Sequence, residues 1–253
     1  MTDIQDIFQA VDAYAPFESA EDFDNVGLLV GEMGLPVSRC LVALDVMPAT
    51  VSEALAKGCE LILSHHPVIF NPLRQVGHES TVGQLLRAGV SVISAHTNVD
   101  KAGLNSALAE ILGIRELKPL AASGGCAGVG LPPEKRKHKN AWELALLFKE
   151  KLGVQGFRCY DAGGMIGRVA LCCGGGGSYL KDAIEAGADC FVTGDLRHNH
   201  VVEAAAAGIS LIDLGHFETE VHFIPLMIGL LQPQLPDVEF LPAESSKPLF
   251  AHG

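Results

Sequence analysis

One local pattern constrains this chain more than any other: a short β-branched apolar run that breaks into a polar loop and gives way to a helical periodicity, repeated almost from end to end. The runs are RCLVALDV, CELILSH, VSVISA, RELKPLA, GVGLP, FRCYD, GRVALCC, ADCFVTG, ISLIDLG and VEFLP. Apolar residues at helical spacing predict helices near 3–14, 48–57, 80–88, 103–112, 140–152, 178–186, 198–207 and 217–231. Parallel strands need a crossover between them, and a helix is the usual one, so this alternation predicts an α/β fold with largely parallel sheets.

At 253 residues and 48% hydrophobic content the chain can fill such cores, which excludes disordered and fibrous classes. The segment AASGGCAGVGLPPEKRKHKN, rich in Gly, Pro and charge, marks a change of lobe. Its basic cluster, Lys135, Arg136, Lys137, His138 and Lys139, reads as a solvated loop.

Charge and apolar length bound the partners. A formal charge of −12 argues against non-specific binding to nucleic acid or anionic membranes. Runs such as FIPLMIGLL are too short to span a bilayer, and the N-terminus is an acidic amphipathic helix, so a cytoplasmic location is expected. Seven cysteines without CxxC spacing, with Cys40, Cys59, Cys159 and Cys190 in or beside apolar runs, predict reduced thiols and no zinc ribbon.

Chemistry-bearing residues gather where strands end. CELILSHHPVIF closes on His65 and His66. Neighbouring side chains on a strand face opposite ways, so both imidazoles can serve one centre only if the strand has ended and the chain is turning toward Pro67. VSVISAHTNVD closes on His96, Thr97, Asn98 and Asp100. ISLIDLGHFETE closes on Gly215, and His216 and Glu220 then fall one helical turn apart on one face. Taken singly, each is matched by a bland reading as a strand cap or a solvated pair. Their repetition at strand ends, where sites assemble in open α/β sheets, favours a metal site.

Between VALCC and a predicted helix lie Gly174, Gly175, Gly176 and Gly177, which could present backbone N–H groups to an anion or simply make a tight turn. No Walker A or GxGxxG pattern is present there. Cys172-Cys173 lacks an activating base nearby in sequence, whereas Asp195 and His198 open the following helix and are candidate proton carriers, with an N-cap and an exposed histidine as the bland alternative.

With these segments in hand, the chain resembles the dinuclear-metal-centre family known as GTP cyclohydrolase 1 type 2 homologues, also called NGG-one-interacting-factor-three-like. The resemblance rests on FDNVGLLVG, VALDV with Asp45, LILSHHPVIF, AHTNVD followed by GLN, GGGGS, VTGDLRH and DLGHFETE, in order and nearly end to end. It implies two divalent metal ions per subunit (Zn, Mn, Fe, Co or Ni) held by His65, His66, Asp100, His216 and Glu220, with Glu220 bridging and His96 beside them. It also implies two related α/β lobes with mixed, largely parallel sheets, a toroidal homohexamer, and a hydrolase in which metal-bound hydroxide opens the imidazole ring of GTP or a related, including damaged, nucleotide, with Asp195, His198 or His96 moving the proton.

The expected lobes are 1–124 with 212–253 and 125–211, since the His216/Glu220 element must return to the first lobe, which puts the site in the cleft between them. Two other readings stay open. One is a dinuclear hydrolase of another phosphoester or amide, and the other a non-enzymatic metal-dependent scaffold, which should expose large apolar patches.

Overall fold

The computed structural model describes residues 1–120, 123–133 and 138–250; Lys135, Arg136 and Lys137 of the basic cluster lie outside them. The chain divides into two compact units, Met1–Ala102 with Phe223–Lys247, and Gly103–His222 with the last described residues from Pro248.

The first unit holds α1 (Ile4–Tyr14), β1 (Gly27–Val30), β2 (Arg39–Ala43), α2 (Pro48–Lys57), β3 (Leu61–Ser64), α3 (Thr81–Ala88), β4 (Ser91–Ser94), the single turn α4 (Thr97–Val99), and, after the second unit, α10 (Phe223–Leu231) and β11 (Glu239–Pro242). Its sheet runs β1-β4-β3-β2-β11, with β1 antiparallel and the other pairings parallel. Strands β3 and β4 are buried along their whole length, which is why they read as continuous apolar runs rather than alternating ones. Leu41, Ile62, Val92, Val51 and Leu85 form the core beneath α2 and α3. Helix α1 is closed by reciprocal bonds between Asp3 and Asp6 and buries Ile4, Ile7 and Val11.

The second unit holds α5 (Asn105–Leu112), β5 (Arg115–Pro119), β6 (Gly128–Leu131), α6 (Ala141–Leu152), β7 (Arg158–Tyr160), β8 (Val169–Leu171), α7 (Leu180–Glu185), β9 (Cys190–Thr193), α8 (His198–Ala207), β10 (Ser210–Asp213) and α9 (His216–Glu220). The sheet order is β5-β6-β8-β9-β10-β7; β8, β9 and β10 are parallel, and the other pairings are antiparallel. Ala170, Phe191, Leu211, Leu180 and Ala204 make up its core. The α/β class and the mixed sheets are as expected.

Among the described residues, 103–120, 123–124 and 212–222 group with the second unit, whose sheet contains β5 and β10. Two features differ from the sequence expectation. The helix expected over 217–231 is two, α9 and α10, separated at Val221 and His222. Pro225 explains the break, since it has no N–H to give to the carbonyl four residues back and its ring crowds that carbonyl. Strand β1 in FDNVGLLVG was not anticipated, because four residues bounded by Gly27 and Gly31 give little periodicity; it exists through its pairing with β4.

All seven cysteines are free thiols. Burial pushes the Cys59 and Cys159 thiols up to about 11 and raises Cys40 and Cys190 further, as reduced core residues require.

The C-terminal segment of the first unit is tied to α2 by Glu53, which accepts from the N–H groups of Glu244 and Ser245 (both 2.8 Å) and from Lys57 Nζ (2.7 Å). Burial opposes its ionisation, but these donors outweigh it and lower its pKa to about 2. A depressed carboxylate stabilises the fold above its unfolded pKa and loses that contribution as pH falls through the folded one. Glu53→Gln should therefore cost roughly 2 kcal/mol near neutral pH. In denaturant titrations the gap to the parent chain should close as pH falls from about 4.5 toward about 2.

Candidate metal centre

The polar residues singled out in sequence fall at the carboxyl ends of parallel strands in both units. In the first unit, β3 ends at Ser64, and His65 and His66 lie just past it, their N–H groups donating to Ala43 O (3.1 Å) and Leu44 O (2.9 Å). The strand has ended where the histidines begin, so both rings turn to one side, with centroids 5.1 Å apart. His96, just past β4, brings a third ring within 5.1 Å of His65 and 5.6 Å of His66. One ligand nitrogen from each of these histidines falls within 4.8 Å of the other two.

Every ring in this cluster is held through Nδ1. His65 Nδ1 bonds Ala95 O (3.0 Å), His66 Nδ1 bonds Asp45 Oδ1 (2.8 Å), and His96 Nδ1 bonds Asp24 Oδ1 (3.0 Å). Carbonyl and carboxylate oxygens only accept, so Nδ1 is the donor, and in the neutral ring this tautomer leaves the lone pair on Nε2. His65 Nε2 faces Asp100 Oδ1 at 3.6 Å. Asp100 opens a π-helical turn, Asp100–Leu104, a distortion found often at functional sites. Thr97 and Asn98 do not join the cluster: Thr97 donates to Asp24 (2.6 Å) and Asn98 to Ala15 O (2.7 Å). Burial alone would raise the Asp24 pKa, but the bonds from His96 and Thr97 win and hold its carboxyl well below the usual carboxylate range.

In the second unit Gly215, at φ +96, turns the chain from β10 into α9 and sets His216 and Glu220 one turn apart, with His216 Nε2 3.0 Å from Glu220 Oε2. His216 repeats the orientation seen above, its Nδ1 bonded to Asp195 Oδ2 at 2.8 Å. Asp195 sits just past β9 in a left-handed conformation (φ +53), which only Gly, Asn and Asp adopt readily. Asp213, at the end of β10, accepts from Leu196 N (2.9 Å) and Gly215 N (3.0 Å) and also bonds Arg158, so it fixes both turns.

The glycine run packs against this pair. Gly174 adopts φ +58, and any Cβ there would fall on the Glu220 carboxylate. Its N–H goes to Thr219 Oγ1 (2.9 Å), and that of Gly176 to Thr193 Oγ1 (2.8 Å). Gly175 and Gly177 instead line a cavity with Asp195. His198 is exposed at the start of α8, and Cys172 is buried with its thiol on Cys126 O (3.2 Å).

Imidazole and carboxylate donors without thiolate, each imidazole backed by an acceptor, form a donor set suited to divalent metals of the Zn, Mn, Fe, Co and Ni series. Sequence reading passed over Asp24 and Asp213 as positioning groups and quoted Asp45 without a role. Asp45 follows the strand-end pattern of the histidines, but Asp24 lies 72 residues from the ring it holds.

Comparisons with known proteins follow the same line. The chain is 33% identical over 260 residues to a Clostridium perfringens protein named GTP cyclohydrolase 1 type 2 homolog, covering 98% of each. A Streptococcus pneumoniae protein of the same name is 32% identical over 266 residues, again covering 98% of each. A crystal structure of a Bacillus cereus protein related to NIF3 superposes with a TM-score of 0.91 at 21% identity, over 100% of this chain and 99% of that one, which establishes the shared fold. A family profile matches residues 2–248, and the chain belongs to the Duf34/NIF3 (NGG1p interacting factor 3) family.

Proposed function

We propose that the chain is a metal-dependent hydrolase, in which His65, His66, Asp100, His216 and Glu220 would supply the ligands of two divalent ions. The observation that carries this reading is the uniform orientation of the histidines: four rings, each fixed through Nδ1 by a carbonyl or carboxylate. Solvated surface histidines do not share such a pattern, whereas metal-binding ones almost always do. Two ions of this class would lower the pKa of a water and polarise the bond it attacks.

The chain's own residues supply the rest. Asp45, Ala95 O and Asp195 hold ligand rings in place, and Gly174 leaves room for the Glu220 carboxylate. His96, with its Nδ1–H on Asp24, can take the proton of the attacking water at Nε2 and return it to the departing ring nitrogen. It suits that role better than Asp195, whose carboxylate is engaged by His216, or His198, which is exposed. The substrate class taken from the names of the relatives is GTP or a related nucleotide; one water would add at C8 and open the imidazole ring to a formamide, and a second water would hydrolyse that amide to release formate. A homohexamer fits the exposed Trp142 and Leu146 on α6, apolar groups suited to a subunit contact. Among the described residues no helix is long and apolar enough to cross a membrane.

Elemental analysis of protein purified without chelators tests the centre: about two ions per chain are expected, and none after loading with Mn, Zn, Fe or Co would sink it. Glu220→Ala and His66→Ala should each lower occupancy while circular dichroism and melting stay close to the parent. Asp45→Ala, which removes only the support of His66, should weaken metal affinity about 10- to 100-fold without abolishing it, as read by competition with a chromophoric chelator. Gly174→Ala should displace the Glu220 carboxylate and lower metal content, although residue 174 contributes no ligand atom; full occupancy in that variant would exclude Glu220 as a ligand.

A further inference from the structure

Within the second unit a cavity of about 570 Å³ opens between the glycine loop and the start of α8, lined by Arg158, Gly175, Gly177, Ser178, Asp195, Leu196, Arg197 and His200. The lining carries Arg158 and Arg197 against Asp195, and Arg158 is ion-paired with the buried Asp213, so these four charges balance in a chain of −12. Asp195 is bonded to His216 Nδ1 at 2.8 Å, and Arg197 stands exposed at the cavity.

Two of the lining side chains are held in place. Arg158 is anchored by its bonds to Leu196 O (2.9 Å) and Asp213. His200 accepts from Arg197 N at Nδ1 (3.1 Å), which places the neutral ring's proton on Nε2 as a donor. That ring lies over Gly177, where a Cβ would overlap it. Arg197 precedes α8, a helix of ten residues whose first N–H groups and dipole also favour an anion.

We propose that this cavity binds a phosphate group of the substrate, with Arg197 and His200 as its donors and the α8 N-terminus behind them. The inference deepens the proposed function, since Asp195 joins the cavity to the His216/Glu220 pair and a ligand held here by its phosphate is presented to that pair. A two-carbon or neutral heterocyclic substrate would leave Arg197 unused, whereas a nucleotide or another phosphate ester would not.

The test is calorimetric titration of the full-length chain with tripolyphosphate, GTP and guanosine, in the presence of a strong chelator so that metal-bound phosphate does not contribute. Tripolyphosphate and GTP should bind, guanosine should not, and Arg197→Gln and His200→Ala should each weaken binding about tenfold or more. Arg197→Lys should recover part of the loss by restoring the charge without the fork. Arg197 and the start of α8 are exposed, and unchanged melting of the variants checks that the fold is intact. Equal affinities for tripolyphosphate and GTP would place recognition in the phosphates alone, and tighter GTP binding would add a contact to the ester; either supports the site. Binding lost on chelation, guanosine binding as well as GTP, or affinities unchanged in both variants would overturn it. Because no turnover is measured and no metal is present, a chain that binds phosphate but hydrolyses nothing would sink the hydrolase reading and leave this one standing.

Discussion

The hydrogen bond at Nδ1 is what the candidate site depends on. An imidazole has two nitrogens and can rotate about two torsions, so a histidine at a strand end is not yet a ligand. Ala95 O, Asp45, Asp24 and Asp195 remove that freedom from His65, His66, His96 and His216, setting both the tautomer and the ring plane. A negative partner also raises the basicity of the outward nitrogen, which strengthens it as a ligand or a base. Asp24 shows that the partner is itself prepared, since Thr97 donates to it twice and keeps it ionised despite its burial.

The parallel sheet underlies these bonds. In the first unit β2, β3 and β4 end side by side, so Asp45, His65, His66 and His96 emerge together; in the second β8, β9 and β10 do the same for Gly174, Asp195 and His216. Strands in register place their ends within reach of one another at a spacing of about 5 Å per strand, about the scale of a coordination sphere. Glycine completes the arrangement where side chains would collide: at Gly174 against Glu220, and at Gly194, where a Cβ would strike the backbone of His216. The glycine run therefore serves two purposes, with Gly174 and Gly176 packed into the unit through their bonds to Thr219 and Thr193, and Gly175 and Gly177 facing the arginine-lined cavity.

Much of this was legible in the sequence. Continuous apolar runs gave away the buried parallel strands, and their abrupt ends in His-His, His-Thr-Asn and Gly-His marked the ligand candidates, because a strand that carries no alternation must be covered on both faces and only its ends are open to chemistry. The four-residue strand β1 escaped notice because its formation rests on β4 rather than on its own pattern, and the division of 217–231 into two helices turned on the single residue Pro225. The role of Asp24 escaped as well. Nothing in FDN distinguishes a surface carboxylate from one whose side chain is fully buried against His96.

The sequence by itself determined the α/β class, strands β2 to β11 in their order along the chain, the reduced thiols and the strand-end histidines, because each depends on local periodicity or on residue type. Tertiary structure alone decided which polar residues support others. Thr97 and Asn98, read as equals of His96, turned to Asp24 and Ala15; Asp195, read as a proton carrier, bonds His216; and Arg158, Arg197 and His200, distant or unremarkable in sequence, share one cavity. The physical reason is that hydrogen-bond partnership and cavity lining are set by strand order and register, which bring together residues separated by tens of positions, and periodicity carries no record of which ends will meet.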